Sequence, residues 1–349
     1  MTAQVTTAPD QQGSRTSGDG GGGGIGRALR SGTGTVFVLL ALVFAVIFAL
    51  NPSFAAPGPL LAFLKNAAPL VILAAGQYMV IVAGEFDLSV GALVGGQIVL
   101  AAALIDGNEG ATVWVLLVMV AAGLLVGLVN GVLVAYLKVP SFIATLGMML
   151  VLFGAIRLWT GGAPTGALSE LFRSLGRGGI EGIPGINQVP WSLFVLIAVG
   201  VFAVLLMRRP FGRVLLAIGD NPRASLFAGA RVRRVQVTAF LLSALLATLA
   251  AVLLGGYAGV SAQVGQGLEF VAITAVVLGG VVLGGGQGSV VAAMGGALLL
   301  QSLFTLFNQL GLPSTARPAV QGVIIIAAVA YAARPMSLSR RRGRARTAA

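Results

Sequence analysis

Long apolar segments recur along almost the whole chain, and they decide which solvent it can fold in. A helix that spans a membrane needs about 20 mainly apolar residues. Ten such segments lie near residues 35–50, 66–84, 88–105, 112–136, 141–160, 190–207, 236–255, 268–284, 289–308 and 319–333. Only 9% of the 349 residues are charged, whereas a soluble domain carries about 25%. The pattern predicts an all-α membrane protein, a polytopic bundle of about 10 transmembrane helices.

Basic residues are concentrated at the ends of these segments. Seven arginines lie in segment 208–234 and six more follow Tyr331, whereas residues 106–111 carry neither Arg nor Lys. An excess of Lys and Arg marks cytoplasmic loops, so both termini and segment 208–234 are expected on the cytoplasmic side of the membrane. The net charge of +12 is therefore a feature of membrane topology and not the footprint of a nucleic-acid-binding protein.

The same pattern divides the chain into three parts. Residues 1–34 are polar and Gly-rich and are predicted to form a flexible cytoplasmic tail. Residues 35–335 form the predicted transmembrane domain, with the cytoplasmic loop 208–234 inside it. Residues 336–349 form a basic cytoplasmic tail.

Several kinds of chemistry are excluded by residues that the sequence lacks. There is no Cys and no His, which removes thiolate and imidazole metal ligands and the commonest proton shuttle. A phosphate-binding P-loop needs Gly-Lys-Ser/Thr, but the only lysines, Lys65 and Lys138, each follow Leu. Since no carboxylate pair lies deep in a predicted span, we expect no enzyme activity, no catalytic or metal site and no cofactor in this chain.

An internal repeat is visible at an offset of 200 residues. The segment Ser89–Gly96 (SVGALVGG) aligns with Ser289–Gly296 (SVVAAMGG). Internal duplication is common in transporters, where the substrate path lies near the interface of the repeats. The repeat therefore favours a transporter.

The basic loop 208–234 contains the signal of a short helix. Asn221 suits an N-cap, Pro222 suits the first helical position, and Gly229 suits a terminator. Such a helix has about two turns, which is too short to be stable alone or to span a membrane. We expect it to lie across the cytoplasmic face and dock into a partner; a capped turn within a basic loop is the alternative.

Polar residues within or beside the spans have two interpretations. Glu85 and Asp87 lie between two spans, where a carboxylate either faces a ligand or cation or stabilises the turn. The uncharged polar residues suit a path for a neutral polyol, and they suit hydrogen bonds between helices equally well. The predicted solute path draws on Asn66, Gln77, Asp87, Gln97, Phe142, Thr145 and Glu269, with Gln263, Gln266, Gln301 and Asn308 as further polar positions.

Four motifs, in order, resemble the permease subunits of the ribose/xylose/galactoside branch of bacterial ABC importers. Gly84–Gly91 (GEFDLSVG) is similar to the family's Gly-Gly-Ile-Asp-Leu-Ser-Val-Gly. Val139–Met148 (VPSFIATLGM), Gly219–Gly229 (GDNPRASLFAG) and Glu269–Val290 carry the others, and the resemblance covers roughly residues 35–335. Glu85 stands where the family usually has Gly, and Val271 where it often has Asp, so substrate preference is not carried over.

The resemblance implies a type II ABC-importer-like fold and the role of transmembrane permease in ATP-driven sugar import. It implies a separate ATPase subunit that binds ATP and Mg, a periplasmic or lipid-anchored sugar-binding protein, and a second permease copy in a homodimer. The coupling helix that transmits motion from the ATPase would comprise Gly219, Asp220, Asn221, Pro222, Arg223, Ala224, Phe227 and Gly229.

A stand-alone secondary carrier or channel for a small polar solute is the alternative. It would explain the spans and the repeat. However, a proton- or sodium-coupled carrier more naturally buries charges in mid-span, whereas Glu85, Asp87, Arg157 and Glu269 lie near predicted span ends. The capped cytoplasmic helix would also be left without a role.

Overall fold

The computed structural model describes residues 32–332 except residue 262, and within them lie thirteen α-helices and one two-stranded antiparallel hairpin. The helices are α1 (Gly32–Leu50), α2 (Pro57–Val82), α3 (Val90–Ile105), α4 (Thr112–Ala135), α5 (Ser141–Thr160), α6 (Glu170–Arg177), α7 (Trp191–Arg208), α8 (Pro210–Asp220), α9 (Pro222–Phe227), α10 (Val232–Ala258), α11 (Leu268–Leu278), α12 (Val290–Gln309) and α13 (Arg317–Ala332). Strands β1 (Gly179–Ile180) and β2 (Val189–Pro190) form the hairpin. The predicted C-terminal tail, and the N-terminal tail up to residue 31, lie outside the described residues.

Each of the ten predicted spans coincides with a helix, which confirms the all-α polytopic bundle. In the described part of the chain, seven helices are long and apolar enough to cross a membrane, and α3 and α11 are shorter apolar helices. Two predicted bounds are wrong. Helix α2 begins at Pro57 rather than near residue 66, because a helix accommodates proline in its first turn. Helix α11 ends at Leu278 rather than near residue 284, because Gly280, with φ of +78°, turns the chain away.

Helices α2, α10 and α12 form the interior of the bundle. More than half of each apolar stretch is buried, whereas α1, α5 and α7 bury less than a fifth of theirs. Helix α10 packs most extensively against α4 and α2 and also contacts α3 and α6. The poorly buried helices therefore present apolar side chains at the periphery, as lipid requires.

Small residues allow α4 and α10 to approach closely. Gly123, Gly127 and Gly131 recur every four residues along α4 and all face α10. A β-carbon on Gly127 would lie 2.8 Å from the Phe240 carbonyl oxygen, and one on Gly131 would lie 2.9 Å from the Val237 Cα. This spacing is the small-xxx-small pattern of membrane helices. Because lipid is as apolar as the helices, no hydrophobic force drives them together, and they associate through close packing of small residues.

Replacing Gly127 with Leu should therefore destabilise the bundle. Overpacking a tight contact costs about 1–3 kcal/mol, and here the obstacle is backbone that cannot rotate away. We expect a lower melting temperature in detergent than for the parent chain. Gly147→Leu is the matched control, since nothing lies within 4 Å of a β-carbon built there; equal melting of the two variants would contradict the proposed close contact.

The internal repeat corresponds to two helix–turn–helix pairs. Turn 83–89 joins α2 to α3, and turn 279–289 joins α11 to α12. The aligned serines, Ser89 and Ser289, each immediately precede the second helix of a pair. The two turns meet: a β-carbon on Gly285 would lie 2.8 Å from the Gly84 Cα, and the Gly286 amide donates a hydrogen bond at 2.9 Å to the carbonyl of Val82, the last residue of α2.

The two ends of the bundle differ in charge. The end that contains these turns also holds turn 136–140 and segment 208–231, with Lys138 and the arginines of the basic loop, and is termed the basic end. The opposite end holds α6, the hairpin and segment 259–267. There the Glu109 carboxylate accepts hydrogen bonds from the first amides of α6, which is the favourable arrangement for a negative charge at a helix N-terminus.

Candidate functional site

At the basic end, α9 is a short, exposed, well-capped helix. The Asn221 side chain accepts a hydrogen bond from the Ala224 amide at 3.0 Å, and Pro222 occupies the first helical position. Gly229 has φ of +82°, as the predicted terminator requires. Phe227 is 90% exposed and Leu226 is 62% exposed. The predicted short helix is thus confirmed, and it presents two large apolar side chains on a surface otherwise rich in arginine.

Helix α8 connects this element to the interior through a contact between backbones, termed here the glycine junction (Val82, Gly84, Gly219, Gly285 and Gly286). A β-carbon on Gly219 would collide with the Val82 carbonyl oxygen and the Gly286 amide. A β-carbon on Gly285 would lie 2.9 Å from the Gly219 Cα and 2.8 Å from the Gly84 Cα. Only glycine fits at positions 219 and 285, because a β-carbon there would enter the neighbouring backbone. The junction places the end of α8, two residues before the α9 cap, against both turns of the repeat.

The Asp87 carboxylate is the centre of a buried hydrogen-bond network. It is 1% exposed. One oxygen accepts from the Ser89 amide at 3.0 Å and the Ser89 hydroxyl at 2.6 Å, and the other accepts from the Ser243 hydroxyl at 3.1 Å. Asn130 donates to the Ser89 hydroxyl at 2.9 Å. These bonds connect turn 83–89 to α4 and α10, so the geometry favours the interpretation that Asp87 stabilises the turn.

Helix α5 holds the same turn from its other side. The Leu88 amide donates to the Thr145 hydroxyl at 3.1 Å, and the Phe86 amide donates to the Ser141 hydroxyl at 3.0 Å. The Glu85 carboxylate accepts from the Gln236 amide of α10 at 3.0 Å. Burial raises the pKa of the Glu85 carboxyl, and a hydrogen bond with Ser141 partly opposes that rise. Turn 83–89 is therefore bonded to three helices.

The remaining residues of the predicted solute path do not line one cavity. Gln97 donates from α3 to the Met119 carbonyl and the Thr248 hydroxyl, both at 2.9 Å, and so joins helices. Gln77 is fully buried, and neither polar atom of its amide has a hydrogen-bond partner. Glu269 is buried against the backbone of α3, and Phe142 is exposed on α5. These four remain predictions as path residues.

Asn66 contributes to a cavity of about 940 Å³ at the opposite end. The cavity lies among α2, α10, α11, α12 and α13, and its described lining residues include no charged side chain. Its polar groups are amides and one phenol, and its apolar walls include aromatic rings. The side chains that matter below are Asn66, Gln266, Gln301, Gln321, Tyr257 and Phe270. The Gln321 side chain is nine-tenths buried, and its Nε2 has no hydrogen-bond partner.

The sequence indicates only some of the polar residues that line this cavity. Gln301 and Asn308 are seven residues apart, which places them on one face of α12, and that spacing was an available signal. Gln321 and Tyr257 lie on two other helices, and no local pattern connects them to α12. Their convergence depends on how α10, α12 and α13 pack together.

A bundle with seven helices long and apolar enough to cross a membrane, within the described part of the chain, defines a polytopic membrane protein, and its basic end exposes a capped helix. Comparison with known sequences agrees. The sequence model of the family described as "Branched-chain amino acid transport system / permease component" matches residues 60–329. The chain belongs to this family, as a permease subunit of an ABC importer and not an enzyme.

Individual relatives cover most of the chain. The autoinducer 2 import system permease protein LsrC of Escherichia coli is 31% identical over 298 residues, which are 85% of this chain and 85% of the relative. The ribose import permease protein RbsC of Bacillus subtilis is 36% identical over 296 residues, which are 84% and 90% of the two chains. No solved structure matches the chain.

Proposed function

We propose that the chain imports a small, neutral, polyhydroxylated solute of the sugar class across the bacterial inner membrane. The observation that carries the proposal is the uncharged cavity at the opposite end. Hydrogen-bonding amides beside aromatic rings suit a neutral ligand with many hydroxyl groups, because each amide both donates and accepts. The names of the two relatives above, a ribose permease and an autoinducer 2 permease, support the same class.

The proposed partners follow from the basic end and from the family. A separate ATPase, which binds ATP and Mg, docks on α9 through Phe227 and Leu226. Of the residues that the sequence predicts for the coupling helix, those from Asn221 to Gly229 form or flank α9, and Gly219 and Asp220 end α8 beside the glycine junction. A substrate-binding protein delivers the solute to the opposite end, which faces the periplasm, and a second copy of this chain completes the membrane unit as a homodimer.

Affinity purification from native membranes in mild detergent tests the powering of transport. Mass spectrometry should identify a stoichiometric ATPase with Walker motifs together with the chain. The purified complex in liposomes should then take up radiolabelled ribose only when ATP and Mg are present on the ATPase side. Solute movement by the isolated chain without ATP would instead establish the stand-alone carrier.

Replacing Gln301 with Leu tests the cavity. A hydrogen bond contributes about 0.5–1.5 kcal/mol, and a polar group of the solute left without a partner costs about 1–3 kcal/mol, so uptake should fall about tenfold. The matched control is Gln309→Leu, on the same helix but outside the lining of the cavity. Equal uptake rates for parent, Gln301→Leu and Gln309→Leu would show that the solute takes another path.

A further inference from the structure

A second cavity lies at the basic end, on the flank of the bundle beside α9. Its volume is 750 Å³. It is lined by the end of α4, the α4–α5 turn, α9 and the start of α10. Five cationic side chains line it: Lys138, Arg223, Arg231, Arg233 and Arg234. A single carboxylate, Glu85, is among the lining residues, and its Oε1 already accepts the hydrogen bond from Gln236.

The five cations of this cavity form no ion pair with the described residues. In the described part of the chain, the one ion pair joins Arg177 to Glu170, at the opposite end. None of the five cations lies within ion-pair distance of a described carboxylate. Arg233 is positioned over the Tyr136 ring, with its guanidinium carbon 5.5 Å from the ring centroid.

The N-terminus of α10 adds to the positive charge of this cavity. This 27-residue helix begins at Val232, and its N-cap, Arg231, makes no side-chain capping hydrogen bond. The first amides of a helix carry partial positive charge when no cap accepts from them. Both the charged side chains and the helix terminus thus favour an anion in this cavity.

Exposed apolar side chains flank the turn that lines the cavity. Leu137, in the α4–α5 turn, is 65% exposed, and Phe142 and Ile143 on α5 are exposed beside it. Tyr136 is half-exposed at the same level, in the position that amphipathic aromatic residues take at a membrane interface. An anionic headgroup in the cavity would therefore have its acyl chains against these apolar side chains.

We propose that this cavity binds the phosphate-bearing headgroup of an anionic phospholipid from the cytoplasmic leaflet. Basic cavities between membrane helices on the cytoplasmic side are suited to such headgroups. A free phosphate would use the same cations but would gain nothing from the exposed apolar side chains. An acidic surface of a protein partner would use the cations alone, whereas turn 136–140, which lines the cavity, also carries the exposed Leu137 and leads directly into the exposed Phe142 and Ile143. The continuity between cations and exposed apolar side chains favours the lipid.

Native mass spectrometry of the detergent-purified full-length chain tests the proposal. The chain is incubated with equal amounts of dioleoyl-phosphatidylglycerol and dioleoyl-phosphatidylcholine, which differ only in headgroup. We expect about a tenfold preference for phosphatidylglycerol. The double variant Arg231→Gln, Arg233→Gln should lose it. The control Arg208→Gln, Arg209→Gln removes two exposed arginines from the same end, outside the cavity, and should keep it.

Further arms identify the source of the anion. The charge-retaining variant Arg231→Lys, Arg233→Lys should keep most of the preference, which separates loss of charge from loss of folding. Inorganic phosphate at millimolar concentration should not displace the bound lipid. Displacement by phosphate, equal losses in the two Gln variants, or no preference in the parent would overturn the proposal. If, in addition, affinity purification from native membranes recovers the ATPase with the parent but not with the Arg231→Gln, Arg233→Gln variant, the cavity would belong to the ATPase interface instead.

Discussion

Replacing Phe227 with Glu should strongly reduce ATP-driven uptake while leaving the permease folded in the membrane. The side chain is almost fully exposed on a helix whose cap and terminator are formed by other residues, so the chain loses no packing of its own. In a docked complex the same ring would be buried, and a large side chain contributes about 1.5–3 kcal/mol on burial. Placing a carboxylate there adds a desolvation cost. We expect uptake to fall at least tenfold.

The measurement pairs uptake of labelled solute with recovery of the ATPase on affinity purification. Phe227→Leu is the matched control, because it keeps an apolar side chain, and it should retain most of the transport. Arg223→Glu should act in the same direction as Phe227→Glu, since it reverses a charge on the same short helix. Normal uptake by well-expressed Phe227→Glu and Arg223→Glu variants would refute the assignment of α9 as the coupling helix.

Replacing Gly219 with Val should prevent the motion of the ATPase from reaching the membrane helices, although the ATPase should stay bound. The new side chain would occupy the position of the Val82 carbonyl and the Gly286 amide. Helix α8 must then move away, and the hydrogen bond between Gly286 and Val82 has to lengthen or break. The exposed face of α9 is unchanged, so the ATPase should still be recovered. We expect uptake to fall at least tenfold while the amount of bound ATPase stays near the parental value.

Ala217→Val, in the same helix, is the control for Gly219→Val. Ala217 is exposed, so its substitution changes size and β-branching without entering the junction, and transport should persist. The smaller change Gly219→Ala should give an intermediate loss if the defect arises from crowding at the junction. Parental uptake by the Gly219→Val variant would show that the junction does not transmit motion.

The sequence by itself determined the class of fold, most of the spans and the capped helix α9. These features depend on local information. Apolar length decides whether a segment can span lipid, and the order Asn221, Pro222, Gly229 specifies where a short helix starts and stops. The sequence was less informative about bounds such as the ends of α2 and α11, because apolar residues continue through positions where proline or glycine conformation sets the limit.

The tertiary structure alone decided which polar residues meet. Asp87, Asn130 and Ser243 lie on different segments separated by tens of residues, and only the packing of α4 and α10 around turn 83–89 brings them into one network. The same holds for the uncharged cavity and for the glycine junction. Hydropathy records how far a segment is buried, but it contains no information about which neighbour a given face contacts. In a bundle whose helices are apolar on all sides, that choice depends on close contacts between small residues, and these exist only in the assembled fold.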